Sequence, residues 1–133
     1  MKVFRSRIVH RPPDKREVRL LLEKGDLRGA IEKARIIGLT IPQPVIDAVA
    51  KAMFKRHAGT LLSYVGVSDI ELPFEISTLL RRTFKVEDYD TFLEQAFRLK
   101  VKAGFEHEID LAIEAIMRRD PEEATQWRRQ FKG

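Results

Sequence analysis

Apolar residues recur at intervals of three and four positions along most of this chain, which is the spacing of one face of an α-helix. Downstream of residue 13, no block shows the period-two alternation of a half-buried strand. The pattern predicts an all-α domain over residues 14–133, built from about six to seven short helices. The short joints between them favour packed helical hairpins, arranged as an irregular bundle or a short solenoid-like stack.

The first two helices are predicted over 14–24 and 27–37, because a glycine and a capping residue separate their apolar stripes. Gly25 suits a left-handed C-terminal cap, and Asp26 can accept a hydrogen bond from the start of the next helix. Gly38 ends the second helix in the same way. Since the joint is short, we expect the two helices to fold back on each other as a hairpin.

A third helix is predicted over 43–57, and it is apolar on most of its circumference. That property is typical of a helix in the centre of a fold. Two apolar faces can be drawn on it, one that includes Val45 and Met53 and one that includes Ile46. Residues 58–72 are less regular, and they predict a short helix followed by a connection.

Four more helices are predicted in the second half, one from Pro73, one over 87–103, one over 106–119 and one from Pro121. Each carries an apolar stripe at helical spacing, and the stripe of the 87–103 helix includes Phe97. Gly104 is expected to close that helix. Asp120 precedes a first-turn proline and a glutamate three positions later, a pattern that resembles a capping box.

The first thirteen residues follow a different pattern, since successive side chains would alternate between the two sides of an extended segment. Pro12 and Pro13 bar a helix before them. An isolated strand has no partner within an all-α fold. We therefore interpret residues 1–13 as an extended basic N-terminal arm, held to protein through its apolar positions, Val3, Phe4, Ile8 and Val9.

The excess of positive charge lies at the same end of the chain. The 25 Lys and Arg residues outnumber the 20 Asp and Glu residues, which gives a net charge of +5. Residues 1–19 hold seven basic and two acidic residues, and the other eighteen basic and eighteen acidic residues cancel. A basic arm on a neutral body favours a polyanion or an acidic protein surface as partner. The predicted contact residues are Lys2, Arg5, Arg7, Arg11, Lys15, Arg16 and Arg19.

Patterns that carry catalysis or bind metals are sparse in this sequence. The absence of cysteine excludes disulfides, thiolate metal sites and cysteine nucleophiles. The three histidines lack the spacing of zinc proteases or di-iron bundles. The acidic residues around His107 suit the positive end of a helix dipole. We therefore expect a protein that is not an enzyme, with no catalytic residue, no cofactor, no metal and no small-molecule substrate.

Apolar runs and charge indicate where the protein resides. No run approaches the roughly 20 residues of a membrane span, and basic residues interrupt any signal-peptide core near the start. We expect a cytoplasmic protein without membrane contact. The lack of asparagine together with abundant charge is typical of heat-adapted proteins.

Two functional hypotheses follow from these patterns. The first is a non-catalytic helical protein–protein interaction module that self-associates or belongs to a larger assembly. The second is a nucleic-acid-binding protein that uses the basic arm and a helix face. Ala34, Gly38 and the 43–57 helix form a helix-turn-helix candidate, although its turn is long and its reading helix is mostly apolar. Trp127 and Phe131 are expected to pack on the preceding helix.

Overall fold

The computed structural model describes residues 14–66 and 70–132. These residues form seven α-helices and no strand, which confirms the all-α prediction. The predicted arm, residues 1–13, lies outside the described residues. The helices are α1 (Lys15–Glu23), α2 (Leu27–Ile36), α3 (Gln43–Tyr64), α4 (Ile76–Lys85), α5 (Tyr89–Arg98), α6 (Glu106–Met117) and α7 (Pro121–Lys132).

The chain divides into two compact units, Met1–Ala52 and Met53–Gly133. The division falls within α3, so the first part of that helix belongs to one unit and the remainder to the other. The single domain predicted over residues 14–133 stays a prediction.

The first unit is built on the predicted hairpin of α1 and α2. Gly25 has a φ of +81° and turns the chain. The carboxylate of Asp26 then accepts a hydrogen bond of 2.9 Å from the backbone N–H of Gly29, which caps α2. The packed faces of the two helices bury Val18, Ala30 and Ala34. Half-buried apolar side chains pack around them, namely Leu21, Leu22, Ile37, Leu39 and Ile41.

Helix α3 is longer than the predicted 43–57 helix, because the expected short helix after it continues from its end. The two segments meet at His57, whose φ of −128° and ψ of +32° are not helical. Arg82 of α4 donates hydrogen bonds of 3.1 and 2.9 Å, from Nε and Nη2, to the carbonyl of Lys55. A side chain that binds a helix carbonyl is one of the identified causes of helix kinks.

Neither of the two apolar faces drawn on α3 matches the buried face of the helix, which takes residues from both. Ile46, Ala50 and Met53 are buried, whereas Val45 and Ala52 are exposed. The prediction that placed Val45 and Met53 on one face was wrong about Val45. Residues 45 and 53 are eight positions apart, which is more than two helical turns. Their side chains therefore point in different directions, so that Met53 is buried while Val45 is exposed.

The second unit has a core of aliphatic and aromatic side chains from consecutive helices. Within it α5 packs on both α4 and α6, and α6 packs on α7. The ring of Phe92 lies at its centre, with ring-centroid distances of 5.3 Å to Phe84 and 6.2 Å to Phe105. Other buried side chains of this unit include Leu61, Leu62, Leu79, Leu80, Leu93, Ile109, Ile113 and Ile116.

Two predicted helix ends in the second unit differ from the structure. Pro73 precedes α4, whose N-cap is Glu75, so it does not occupy a first helical turn. The helix predicted to run to residue 103 ends at Arg98, because Lys100 adopts a left-handed conformation with a φ of +58°. Gly104 also has a positive φ, but it belongs to the loop before α6.

Arg98 joins the end of α5 to the end of α3. Its Nη2 donates to the carbonyl of Leu62 and its Nη1 to the carbonyl of Val65, both at 2.8 Å. The last carbonyls of a helix lack intrahelical partners, and a guanidinium with several N–H groups in one plane can bind two of them at once. Arg98 therefore acts as a C-terminal cap that comes from another helix.

Candidate interaction site

An aromatic patch formed by Phe97, Trp127 and Phe131 lies where α5 meets α7. The ring centroids are 6.3 Å apart for Phe97 and Trp127, and 6.0 Å apart for Phe97 and Phe131. Both contacts are edge-to-face, the geometry that aromatic rings prefer. Trp127 and Phe131 are half-buried, but Phe97 keeps 46% of its surface exposed.

Two members of the aromatic patch can be recognised in the sequence, and the third cannot. Trp127 and Phe131 are four positions apart, so the sequence places them on one face of a helix. The sequence predicts that this face packs on α6, but it does not predict the contact with Phe97 of α5. The prediction that Phe97 points inward is wrong. Its neighbours on α5, Leu93 and Ala96, are buried, and the Phe97 side chain lies beside them at the edge of the core, where it reaches α7 instead.

A cleft of about 290 Å³ runs between α6 and α7 on the same unit, and we call it the α6–α7 cleft. Its apolar lining comes from Ile109 and Ile113 of α6 and from Phe131 of α7. Phe131 therefore belongs both to the aromatic patch and to the cleft. The two features adjoin and form one candidate contact surface.

The two sides of the α6–α7 cleft carry opposite charge. Glu106 and Asp110 line it from α6, and Arg128 and Lys132 line it from α7. Each pair is spaced by four residues, which places its members one turn apart on the same helix face. All four residues are exposed. The cleft thus has an acidic wall, a basic wall and an apolar floor.

The basic residues near the C-terminus divide into separate environments. Nη2 of Arg119 lies 3.0 Å from both carboxylate oxygens of Asp90 and 3.3 Å from Oε2 of Glu123. Hydrogen bonding to Asp90 is the largest cause that raises the pKa of Arg119 above its ordinary value. Arg119 therefore connects α5 to α7, whereas Arg128 and Lys132 face the cleft.

Three of the seven predicted contact residues belong to the described part of the chain. Lys15, Arg16 and Arg19 are exposed on α1. Leu20 beside them keeps 48% of its surface exposed. The other four predicted contact residues, Lys2, Arg5, Arg7 and Arg11, lie outside the described residues.

The helix-turn-helix candidate has a long turn. Residues 37–42 connect α2 to α3, whereas the motif uses a turn of about three to four residues. The exposed part of the proposed reading helix includes Val45, Ala48 and Ala52. These side chains cannot form hydrogen bonds with base edges or phosphates, although the same helix also exposes Gln43, Lys51, Lys55 and Arg56. The length of the turn is therefore the observation that counts against this candidate.

The histidines and acidic residues of the described chain do not assemble into a metal site. Across residues 14–66 and 70–132, no three His, Asp or Glu side chains are placed to hold a metal ion. His57 and His107 are both exposed, and Glu106 accepts a hydrogen bond from the backbone N–H of Gly104. In the same part of the chain, no helix has the length and apolar character needed to cross a bilayer.

Comparison of the chain with protein-family models, with curated proteins and with solved structures gives no match.

Proposed function

We propose that this protein is a non-catalytic helical interaction module, which self-associates or belongs to a larger assembly and uses the aromatic patch as a contact surface. The observation that carries the proposal is the exposure of Phe97, 46%, within a cluster of three rings. Trp and Phe are enriched at the centres of protein interfaces, where a few large side chains dominate the binding energy.

The arrangement of the three rings supports binding better than the exposure of one apolar residue would. Single exposed apolar side chains are ordinary on protein surfaces. Here, however, the edge-to-face contacts with Trp127 and Phe131 already restrict the Phe97 ring. A partner that covers a restricted ring loses less side-chain entropy on binding than one that must immobilise a free side chain.

The first prediction concerns Phe97→Ser. We expect Phe97→Ser to retain a specific partner from a lysate of the native host at a level reduced by about tenfold or more, since truncating a hot-spot residue costs about 2 kcal/mol or more and about 1.4 kcal/mol corresponds to tenfold in affinity. The full chain is immobilised, and retained proteins, including further copies of this chain, are quantified by mass spectrometry. Leu111→Ser is the matched control, because Leu111 is 39% exposed on the outer face of α6.

Both variants should remain folded at the assay temperature, with a fall in melting temperature of no more than about 10 °C, so that a loss of retention reflects the changed surface. Equal retention by the wild type and Phe97→Ser contradicts the proposal. Equal loss from Phe97→Ser and Leu111→Ser also contradicts it, because the effect would then not be specific to the aromatic patch.

A second candidate function is nucleic-acid binding through the basic arm and α1. The supporting observation is that Lys15, Arg16 and Arg19 are all exposed on the helix that directly follows the arm. Each Lys or Arg that neutralises a phosphate releases counterions, so the affinity of such a complex falls steeply as salt increases.

The second prediction follows from this candidate. The triple variant Lys15→Gln, Arg16→Gln and Arg19→Gln should bind random duplex DNA more weakly. Its log affinity should also depend less steeply on log salt concentration, by about 0.9 for each phosphate that the variant no longer neutralises. Fluorescence anisotropy over a salt series measures both quantities. The control triple Lys85→Gln, Arg118→Gln and Arg129→Gln removes the same charge from exposed positions elsewhere.

A chain without residues 1–13 extends the same experiment to the arm. If the wild-type chain binds neither duplex nor single-stranded DNA at low salt, nucleic-acid binding is excluded as the function. If both triple variants weaken binding equally, the effect comes from net charge and not from α1.

A further inference from the structure

The walls of the α6–α7 cleft carry charges that do not neutralise each other within the chain. The side chains of Asp110, Arg128 and Lys132 form no hydrogen bond and no ion pair with any of the described residues. Among the residues that the structure describes, Glu106 accepts a hydrogen bond only from the backbone N–H of Gly104. Acidic and basic residues thus face each other across an apolar floor and remain open to a partner.

The order of the charges along the cleft follows from the helix hairpin. The cleft lining brings residues of the first part of α6 together with residues of the last part of α7, so the helices run in opposite directions. Glu106 is therefore level with Lys132, and Asp110 is level with Arg128. Along the cleft, each acid has a base at the same height on the opposite wall.

A two-fold axis parallel to these helices makes the surface complementary to itself. Rotation about such an axis places α6 of one copy over α7 of the other and keeps the position along the helices. Asp110 of one copy then faces Arg128 of the second copy, and Glu106 faces Lys132. Two-fold interfaces are isologous, so each contact occurs twice.

We propose that a second copy of this chain docks on the α6–α7 cleft. These two charge pairs hold α6 of one copy against α7 of the other copy in an antiparallel orientation. The proposal rests on the interaction function proposed above and names the partner. The argument for this occupant is charge complementarity, since Glu106 and Asp110 on one wall are matched by Lys132 and Arg128 on the other. The fifth charged residue of the lining, Lys102, donates a hydrogen bond of 2.8 Å to the carbonyl of Phe131 within the same chain. The adjoining aromatic patch and the apolar floor supply the contact area of the dimer, and the charge pairs determine its orientation and specificity.

Two single charge reversals test the proposal. In Asp110→Arg, both symmetry-related contacts of a homodimer become Arg facing Arg. In Arg128→Asp, both become Asp facing Asp. When the two variants are mixed, one contact regains an Arg–Asp pair with reversed partners, and the other keeps the native pair. Neither variant alone should dimerise well, and the mixture should.

Sedimentation velocity of the purified full chain over a concentration series measures the dimer dissociation constant. We expect the wild-type chain to dimerise, each single variant to raise this constant on the order of 100-fold, and the equimolar mixture to recover the wild-type value within about threefold. Glu114→Arg and Arg129→Asp are matched controls, because both residues are exposed on the same helices but outside the cleft. They should leave the dissociation constant unchanged.

Three outcomes overturn the proposal: a wild-type chain that is monomeric at every concentration, single variants that still dimerise, or a mixture that does not recover. These outcomes can be separated from failure of the proposed function. A monomeric chain that retains another protein through Phe97 removes the second copy as partner and leaves the interaction module standing. If instead the chain forms a dimer that is sensitive to charge reversal, and Phe97→Ser does not alter the retention of other proteins, the second copy remains the partner at the cleft. The aromatic patch is then excluded as the contact surface for those other proteins.

Discussion

Replacing Phe92 by alanine is expected to lower the free energy of unfolding by about 3–5 kcal/mol, the range for truncating a buried aromatic side chain. The Phe92 side chain has no exposed surface. Its ring packs against the rings of Phe84 and Phe105. The variant forfeits the transfer of the ring from water and its packing against both neighbouring rings, and it leaves a cavity in the centre of the second unit.

Phe97→Ala is the matched control for this prediction, because the same residue type on the same helix is 46% exposed. We expect it to lose only about 1–2 kcal/mol, from its two ring contacts. Urea unfolding followed by circular dichroism gives both values, provided that the denaturant slope stays constant between variants. A difference of less than about 1 kcal/mol between the two variants would contradict the placement of Phe92 at the centre of the core.

The parts of the fold that the sequence predicted depend on contacts between near neighbours in the chain. The capping bonds of Asp26 and Asp120 each join residues three positions apart. Such a bond needs only the local backbone and one short polar side chain. Gly25 and Gly38 likewise end helices through their own positive φ. These signals can be recognised because no distant residue takes part in them.

The features that were missed depend on residues far apart in the chain. The bond from Arg82 to the Lys55 carbonyl spans 27 positions, and the bond from Arg98 to the Leu62 carbonyl spans 36. Helical periodicity shows that α3 has apolar faces, but it does not show which neighbour covers them. For that reason the sequence predicts the bend at His57 only as a boundary between two helices.

The candidate site was predictable to a similar extent. The charge asymmetry and the helical spacing of Trp127 and Phe131 can be read along the chain. The third ring of the patch, Phe97, and the acidic wall of the cleft come from other helices. Their position depends on how α5, α6 and α7 pack, which is a property of the whole second unit.

Gly59→Ala is expected to lower the free energy of unfolding by about 1–2 kcal/mol, because overpacking costs up to about 3 kcal/mol and the helix preference of alanine over glycine offsets about 1 kcal/mol of it. Gly59 is buried within α3 at a close approach to the start of α5. A Cβ atom added there would lie 2.6 Å from the Cγ2 methyl of Thr91 and 3.3 Å from Oδ2 of Asp88. The first distance is well inside van der Waals contact, so either the Thr91 side chain must leave its rotamer or the two helices must move apart.

The same geometry predicts which second substitution relieves the overlap. Thr91→Ser removes the Cγ2 methyl and keeps the hydroxyl, so Gly59→Ala should cost far less in a Thr91→Ser background. A double-mutant cycle in urea should give a favourable coupling energy of about 1–2 kcal/mol, within the range for residues in contact.

Gly104→Ala is not a suitable control, because its φ of +85° adds backbone strain. Ala52→Gly on the exposed part of α3 is suitable, because it measures the helix preference alone. Additive effects of Gly59→Ala and Thr91→Ser would mean that α3 and α5 do not approach each other at this point, and the packing described for the second unit would then be wrong.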